Sequence, residues 1–242
     1  MMKRILAAGI LVFVTSVWAN EAQIRKSLEP KLGGAKIEGV EPGPIPGLFE
    51  VRVRTERGLR LLYTDAAGAY VIDGNIHDVR GNRDLTEERL RKLNAVKFEQ
   101  LPLDLAVKVQ RGNGKRLLAM FSDPYCPACR QFERVLAQVD DITIYVFMFP
   151  VIRPENADHS RAVWCSTDRA KAWLELAAAA QPKVPQAGAN CSNPVDKVLD
   201  VGHKLGVNST PTLIFANGER MSGGLRADDL REMLDRTATA RR

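Results

Sequence analysis

Cys126-Pro127-Ala128-Cys129 is the stretch of this 242-residue chain best suited to chemistry. Two thiols three positions apart on a first helical turn can close into a small, reversible disulfide. The apolar run at residues 117–121 precedes the pair, and Phe132, Val135, Leu136 and Val139 follow it at i, i+3, i+4 and i+7, the spacing of one helix face. The pair therefore sits where a strand hands over to a helix. Amides at a helix N-terminus have no internal partner and the dipole there favours negative charge. A thiolate is the species that attacks disulfides, so a cysteine at this place is activated.

The same spacing is half of a zinc site, which needs two further ligands. Cys165 and Cys191 stand 26 positions apart and make no second Cys-x-x-Cys, and His77, His159 and His203 are scattered. Redox chemistry is favoured over zinc and over an inert pair, and it calls for no metal and no cofactor.

The N-terminus reads as an export signal. Lys3 and Arg4 precede a mostly apolar stretch from Ile5 to Val17, and Val17-Trp18-Ala19 ends it with small residues at the outer positions. That length suits a signal core and is short for a membrane span, although an uncleaved anchor is the alternative. Cleavage after Ala19 would leave 223 residues, enough for two domains, and lower the net charge from +6 to +4. No basic run is interleaved with aromatics, so nucleic-acid binding is disfavoured. Arg52, Arg54, Arg57 and Arg60 alternate with Val51, Val53, Leu59 and Leu61 and read as the solvated face of a hairpin. In an oxidising compartment disulfides persist. Four cysteines allow three pairings; the local pair Cys126–Cys129 would leave Cys165 with Cys191, and the sequence alone leaves the connectivity open.

The elements that must position the pair can be read along the chain. Residues 20–29 suggest a short helix stopped by Pro30 and Gly33-Gly34, followed by a breaker-rich loop and a strand meander from Leu48 to Val79. The meander holds few large apolar residues, and pairing with a second copy would remedy a small core. Thr86 is expected to cap a helix running to about Gln100, lined by Leu90, Leu93 and Val96, that joins two domains. Beyond it, residues 106–110 and 115–121 flank Asn113-Gly114, a hairpin signal. Residues 142–149 read as a buried strand. A helical section spans about 156–180, a loop carries Cys191, and Asn193-Pro194 opens a helix with asparagine as cap and proline first in the helix. A second hairpin turns at Asn217-Gly218 before a last amphipathic helix.

The stretch Phe121-Ser122-Asp123-Pro124-Tyr125-Cys126-Pro127-Ala128-Cys129 resembles the active-site motif of the DsbC/DsbG family of periplasmic disulfide isomerases, members of the thioredoxin-like superfamily. Ala162-Val163-Trp164-Cys165 and Leu205-Gly206-Val207-Asn208-Ser209-Thr210-Pro211 resemble it as well. The resemblance covers essentially the whole mature chain. It implies a two-domain fold mixing α/β and α+β layers: a signal peptide at 1–19, a small cystatin-like dimerisation domain at 20–82, a linker helix at 83–100, and a thioredoxin-like catalytic domain with inserted helices at 101–242. It implies a V-shaped homodimer whose uncharged cleft receives misfolded, disulfide-containing exported proteins. A membrane reductase of the DsbD type would keep Cys126 and Cys129 reduced. Thr210-Pro211 would be a cis bond beside the pair, Pro127 and Ala128 would tune its redox poise, and Cys165 and Cys191 would form a structural disulfide, as in DsbC.

Two departures stand out. Ala128 replaces the histidine of the strongest oxidase relatives, and Met120 stands where thioredoxins often carry an acid. Pro127 and Tyr125 lean toward DsbG, Cys165 and Cys191 toward DsbC. The function expected is isomerisation or reduction of non-native disulfides in the periplasm, with Cys126 the more exposed attacking sulfur. A DsbG-like sulfenic-acid reductase and a thiol-independent holdase chaperone are the rivals. Trp164 and Trp173 read as core, Asp123 as a turn or cap residue, and Tyr125 as either a client contact or a packing group.

Overall fold

The computed structural model describes residues 11–56, 58–186 and 191–239. Most of the expected export signal lies outside them. A helix α1 (Leu11–Leu28) continues through the expected cleavage point, so residues 20–28 are its second half rather than a separate short helix. Arg25 and Lys26 favour its C-terminal end, and a 3-10 turn containing Pro30 follows, with Gly33 and Gly34 at positive φ of 58° and 90°. Among the described residues no helix is long and apolar enough to cross a membrane.

The chain divides into two compact units, Met1–Leu90 and Arg91–Arg242. In the first, β1 (Lys36–Pro42), β2 (Phe49–Thr55), β3 (Gly58–Thr64) and β4 (Val71–Ile72) form an antiparallel sheet in sequence order. Alternation along β2 sends Val51 and Val53 inward, where they meet Ile37, Val40, Leu62 and the α1 side chains Ile24 and Leu28. Of the basic stretch, Arg57 lies outside the described residues and the other three are paired: Arg52 with Glu41 at 2.7 Å, Arg54 with Glu38 at 2.7 Å and Arg60 with Asp73 at 2.5 Å. A two-stranded ribbon, β5 (His77–Asp78) with β6 (Arg83–Asp84), ends the unit.

The connecting helix differs from its expectation at both ends. α2 spans Leu85–Leu93 only. Asp84, not Thr86, caps it, its Oδ1 accepting from the Glu87 amide at 2.9 Å. The Thr86 hydroxyl is occupied elsewhere, by Tyr63 Oη at 2.7 Å and the Ile76 amide at 2.9 Å. The helix stops short of Gln100, and the following segment is built into the second unit. Val96 N–H donates to the Gly218 carbonyl at 2.9 Å, and Phe98 is 2% exposed in that unit's core. A Cβ at Gly218 would come within 2.4 Å of the Val96 oxygen, so only glycine, here at φ 86°, permits the approach.

The second unit is built on a sheet ordered β11-β10-β8-β9-β7. Its members are β7 (Val107–Arg111), β8 (Arg116–Ser122), β9 (Ile142–Met148), β10 (Thr212–Phe215) and β11 (Arg220–Ser222). The hairpin expected across Asn113-Gly114 does not form. β9 lies between its two arms, antiparallel to β7 and parallel to β8, so that Ile142 faces both Arg111 and Arg116. The near-continuous apolar run of β9 needs a strand on each side. The turn itself holds β9 in place: Asp141 Oδ1 accepts from Asn113 N–H at 2.9 Å, and Thr143 Oγ1 donates to the Gly114 carbonyl at 2.9 Å. The other Asn-Gly signal, at Asn217-Gly218, does close a hairpin, between β10 and β11.

Strand alternation splits the core over the two faces. Leu118, Met120, Ile144 and Val146 pack with Phe132 and Leu136 of α3 (Pro127–Leu136), Trp173, and Leu230 and Leu234 of the last helix, Ala227–Thr239. Ala119, Phe121 and Phe147 pack on the other face with Phe98 and Val198. The helical section between β9 and β10 is broken rather than continuous: α4 (Ala157–Trp164), α5 (Arg169–Trp173), a π turn at Leu174–Ala178, and α6 (Val195–Lys204) after a loop. Asn193 Oδ1 accepts from the Val195 amide at 3.2 Å, and Pro194 stands just before the helix rather than within it. The final helix is α7 (Ala227–Thr239).

Candidate functional site

The C-terminal end of β8 delivers the chain into a tight turn and then α3. Cys126 occupies the N-cap of α3 with an extended backbone, φ −73° and ψ 120°, and Pro127 is the first helical residue. Proline suits this place because its missing N–H would have had no helical partner. The Cys126 carbonyl accepts the first helical bond from Arg130 N–H at 3.0 Å. Pro127 and Ala128 face solvent, and Cys129 turns inward on the same first turn. Both thiols are free. Cys126 keeps 5% of its surface and Cys129 none, so the outer sulfur sits in a narrow opening rather than on an open surface.

The Thr210-Pro211 peptide bond is cis, and Thr210 reaches the pair from a segment 84 positions away: the Cys126 thiol donates to the Thr210 carbonyl at 3.3 Å. Burial raises the Cys126 thiol. The polar groups around it, the Thr210 side chain first, then the Cys129 and Ala128 backbone N–H groups and the Cys129 thiol, favour the anion, outweigh that effect and hold it below its ordinary value of 9.0. The partner moves the other way. Burial pushes Cys129 up to about 12, against the pull of the Ser122 hydroxyl, the Asp123 N–H and the Thr210 side chain, and with the neighbouring Cys126 charge adding to the rise. One turn of helix thus moves two chemically identical groups apart in acidity, one down and one up.

Asp123 braces the turn. It is fully buried, and its Oδ1 accepts from Tyr125 N–H at 2.7 Å while Oδ2 accepts from the N–H groups of Val151 and Ile152, each at 2.7 Å. Its carbonyl accepts from Cys126 N–H at 3.1 Å. Tyr125 packs on α4, its hydroxyl hydrogen-bonded to His159 Nδ1. Burial raises the Tyr125 phenol, with Arg130 and Arg153 opposing and Asp123 adding to the rise. Arg130 Nη1 and Nη2 donate to the carbonyls of Leu176 at 2.9 Å and Ala179 at 2.6 Å, and Trp173 Nε1 donates to Glu133 Oε1 at 2.7 Å. These bonds pin the inserted helices to the back of α3.

The structure therefore brings together Cys126, Pro127, Ala128, Cys129, Thr210 and Pro211. Cys165 and Cys191 lie elsewhere, at the end of α4 and in the loop before α6, joined in a disulfide with Cα atoms 5.8 Å apart. That bond removes two of the four thiolates a zinc site could have used. Trp173 is fully buried, and Trp164 packs at the edge of the same core. Sequence reasoning passed over Ser122, Arg130 and Glu133. Ser122 carried a signal, a hydroxyl closing an otherwise apolar buried strand; Arg130 and Glu133 look like ordinary charged residues of a helix until their partners are seen.

Residues 103–238 match the thioredoxin-like domain family, and residues 15–87 match the N-terminal domain of disulfide bond isomerase proteins. A probable thiol:disulfide interchange protein DsbC of Bordetella pertussis is 39% identical over 211 residues, covering 87% of this chain and 73% of that one. The Escherichia coli K12 thiol:disulfide interchange protein DsbC is 25% identical over 224 residues, covering 90% of this chain and 88% of that one. A crystal structure of a disulfide interchange protein from Neisseria gonorrhoeae is 38% identical, superimposes with a TM-score of 0.53, and covers 57% of this chain and 99% of that one. The chain therefore belongs to the DsbC family of thiol:disulfide interchange proteins, and is a thiol-disulfide oxidoreductase whose catalytic architecture is a thioredoxin-like domain.

Proposed function

We propose that the protein isomerises or reduces non-native disulfides of exported proteins in the periplasm, with Cys126 as the attacking thiolate and Cys129 as the resolving thiol. The observation that carries this reading is the placement of the two free sulfurs, Cys126 at the N-cap of α3 against the Thr210 carbonyl and Cys129 fully buried behind it, an arrangement that lowers the first thiol and raises the second. Cys126 attacks a client disulfide, one client sulfur leaves as a thiolate, and a mixed disulfide forms. The freed client thiolate can then attack its correct partner and release Cys126 reduced, which is isomerisation. If it does not, Cys129 loses its proton and attacks Cys126; the client leaves reduced and the Cys126–Cys129 disulfide forms. A membrane reductase of the DsbD type would return the pair to the dithiol. Thr210 and cis-Pro211 form the wall against which a client segment lies, and Pro127 and Ala128 set the rim.

The working form is a homodimer. Tyr70, Val71 and Ile72, on and beside the edge strand β4, are 78%, 46% and 49% exposed, and an apolar edge strand favours covering by a second copy. The leader through Ala19 directs export.

The test is refolding of a scrambled multi-disulfide protein. Wild type restores its activity and Cys126→Ala does not. Full activity of Cys126→Ala would end the reading. Suppression of aggregation by a Cys126→Ala/Cys129→Ala protein with no thiol-dependent refolding in wild type would point to a holdase instead.

A further inference from the structure

Ser122 is the last residue of β8 and is fully buried. Its backbone is fixed on both sides: it pairs with Met148 in the parallel ladder, and its carbonyl accepts from Phe149 N–H at 2.9 Å. Its hydroxyl nevertheless has no hydrogen-bond partner. A buried, unpaired hydroxyl costs stability, and an apolar residue of similar size would remove the cost. Strand alternation puts its side chain on the face of Leu118 and Met120, against which α3 packs, and there it meets the equally buried Cys129 on the first turn of α3, whose ionised form it stabilises. A thiol is a weak acceptor; a thiolate is a strong one. The hydroxyl is thus poorly used while Cys129 is a thiol and well used once Cys129 is an anion.

We infer that Ser122 is a catalytic residue of the resolving step, its hydroxyl donating to the Cys129 sulfur as that sulfur becomes the nucleophile that attacks the mixed disulfide. In that step Cys129 gives up its proton to solvent and its electron pair forms the bond to Cys126. The Cys126–client bond breaks, and the client sulfur leaves with the electrons and takes up a proton. Charge develops on Cys129 only here, so a donor fixed in place by the sheet favours this step over the first attack. The inference rests on the roles proposed for Cys126 and Cys129.

The test uses an aromatic disulfide, 5,5'-dithiobis(2-nitrobenzoate), mixed in stopped flow with the reduced full chain. Attack by Cys126 releases one coloured thiolate, and resolution by Cys129 releases a second. Ser122→Ala should slow the second release roughly three- to tenfold: a hydrogen bond to a charged acceptor raises the thiolate population roughly ten- to a hundredfold, and about half of that on a logarithmic scale is offset by the lower nucleophilicity of the stabilised thiolate. The first release should keep its rate, and the melting temperature should hold or rise because an unpaired hydroxyl is gone. Ser122→Thr, which keeps the donor, should recover the second release relative to Ser122→Ala. An unchanged second release in Ser122→Ala, equal slowing of both releases, or equal behaviour of the Ala and Thr variants would overturn the inference. Absence of the first release in wild type would instead overturn the roles of Cys126 and Cys129.

Discussion

Replacing both Cys165 and Cys191 by alanine isolates the contribution of their disulfide to the second unit. The two residues are 26 positions apart. The chain-entropy relation for a loop of that length gives about 3.5 kcal/mol at 25 °C, lost when the cross-link no longer restricts the unfolded chain. Side-chain packing adds little, because Cys191 is exposed and Cys165 only half-buried. At roughly 2–4 °C per kcal/mol for a unit of this size, the melting temperature should fall by roughly 7–14 °C. Both cysteines must go together, since a lone survivor would exchange with Cys126. Urea titration followed by tryptophan fluorescence suits the purpose, because Trp164 and Trp173 both lie in this unit and Trp173 is fully buried. The comparison requires Cys126 and Cys129 in the same redox state in both proteins. A loss below about 1 kcal/mol at an unchanged m-value would refute the loop-entropy reasoning.

Burial raises Glu133 above its ordinary value, with the Trp173 bond and the Arg111 charge opposing. A raised value means the fold favours the protonated acid: its stabilising effect is complete below the unfolded value and is lost as pH rises through the folded value. Glu133→Gln keeps an oxygen for Trp173 and carries no charge, so its melting temperature should gain on wild type as pH rises past the carboxylate range; a gap that stays constant with pH would contradict this. Asp123→Asn presents one oxygen where three backbone N–H groups converge on two, and at least one is left facing an amide NH2. A stability loss of about 1–3 kcal/mol in chemical denaturation is expected, and an unperturbed midpoint would show that Asp123 does not brace the turn. Cys129→Ala should accumulate covalent complexes with client proteins, seen as bands on non-reducing gels that vanish on reduction; their absence would remove Cys129 from the resolving role.

The parts of this molecule legible in its sequence are those governed by local signals. Cys126 and Cys129 share one helical turn, so spacing, the apolar strand before them and the periodic face after them suffice to place them. The strand at residues 142–148 and the Asn217-Gly218 hairpin are visible for the same reason. Asn113-Gly114 carries an equally good hairpin signal and misleads, because β9, a strand far along the chain, takes the hydrogen-bonding edges of both arms. Thr86 has the composition of a helix cap, yet its hydroxyl goes to Tyr63 and Ile76, and Asp84 does the capping. Thr210, 84 positions from Cys126, reached the site only through family resemblance. Arg130 and Glu133 act through partners on other elements, carbonyls in and just after the π turn and the Trp173 indole, which no local pattern encodes.

The most direct test of the central claim is the pH dependence of alkylation of the reduced protein, with the modified sulfur located by mass spectrometry. Cys126 should react as a thiolate at neutral pH with an apparent pKa below 9.0, and Cys129 should stay unmodified until strongly alkaline pH. Equal reactivity of the two sulfurs, or a Cys126 that titrates like an ordinary thiol, would contradict the account.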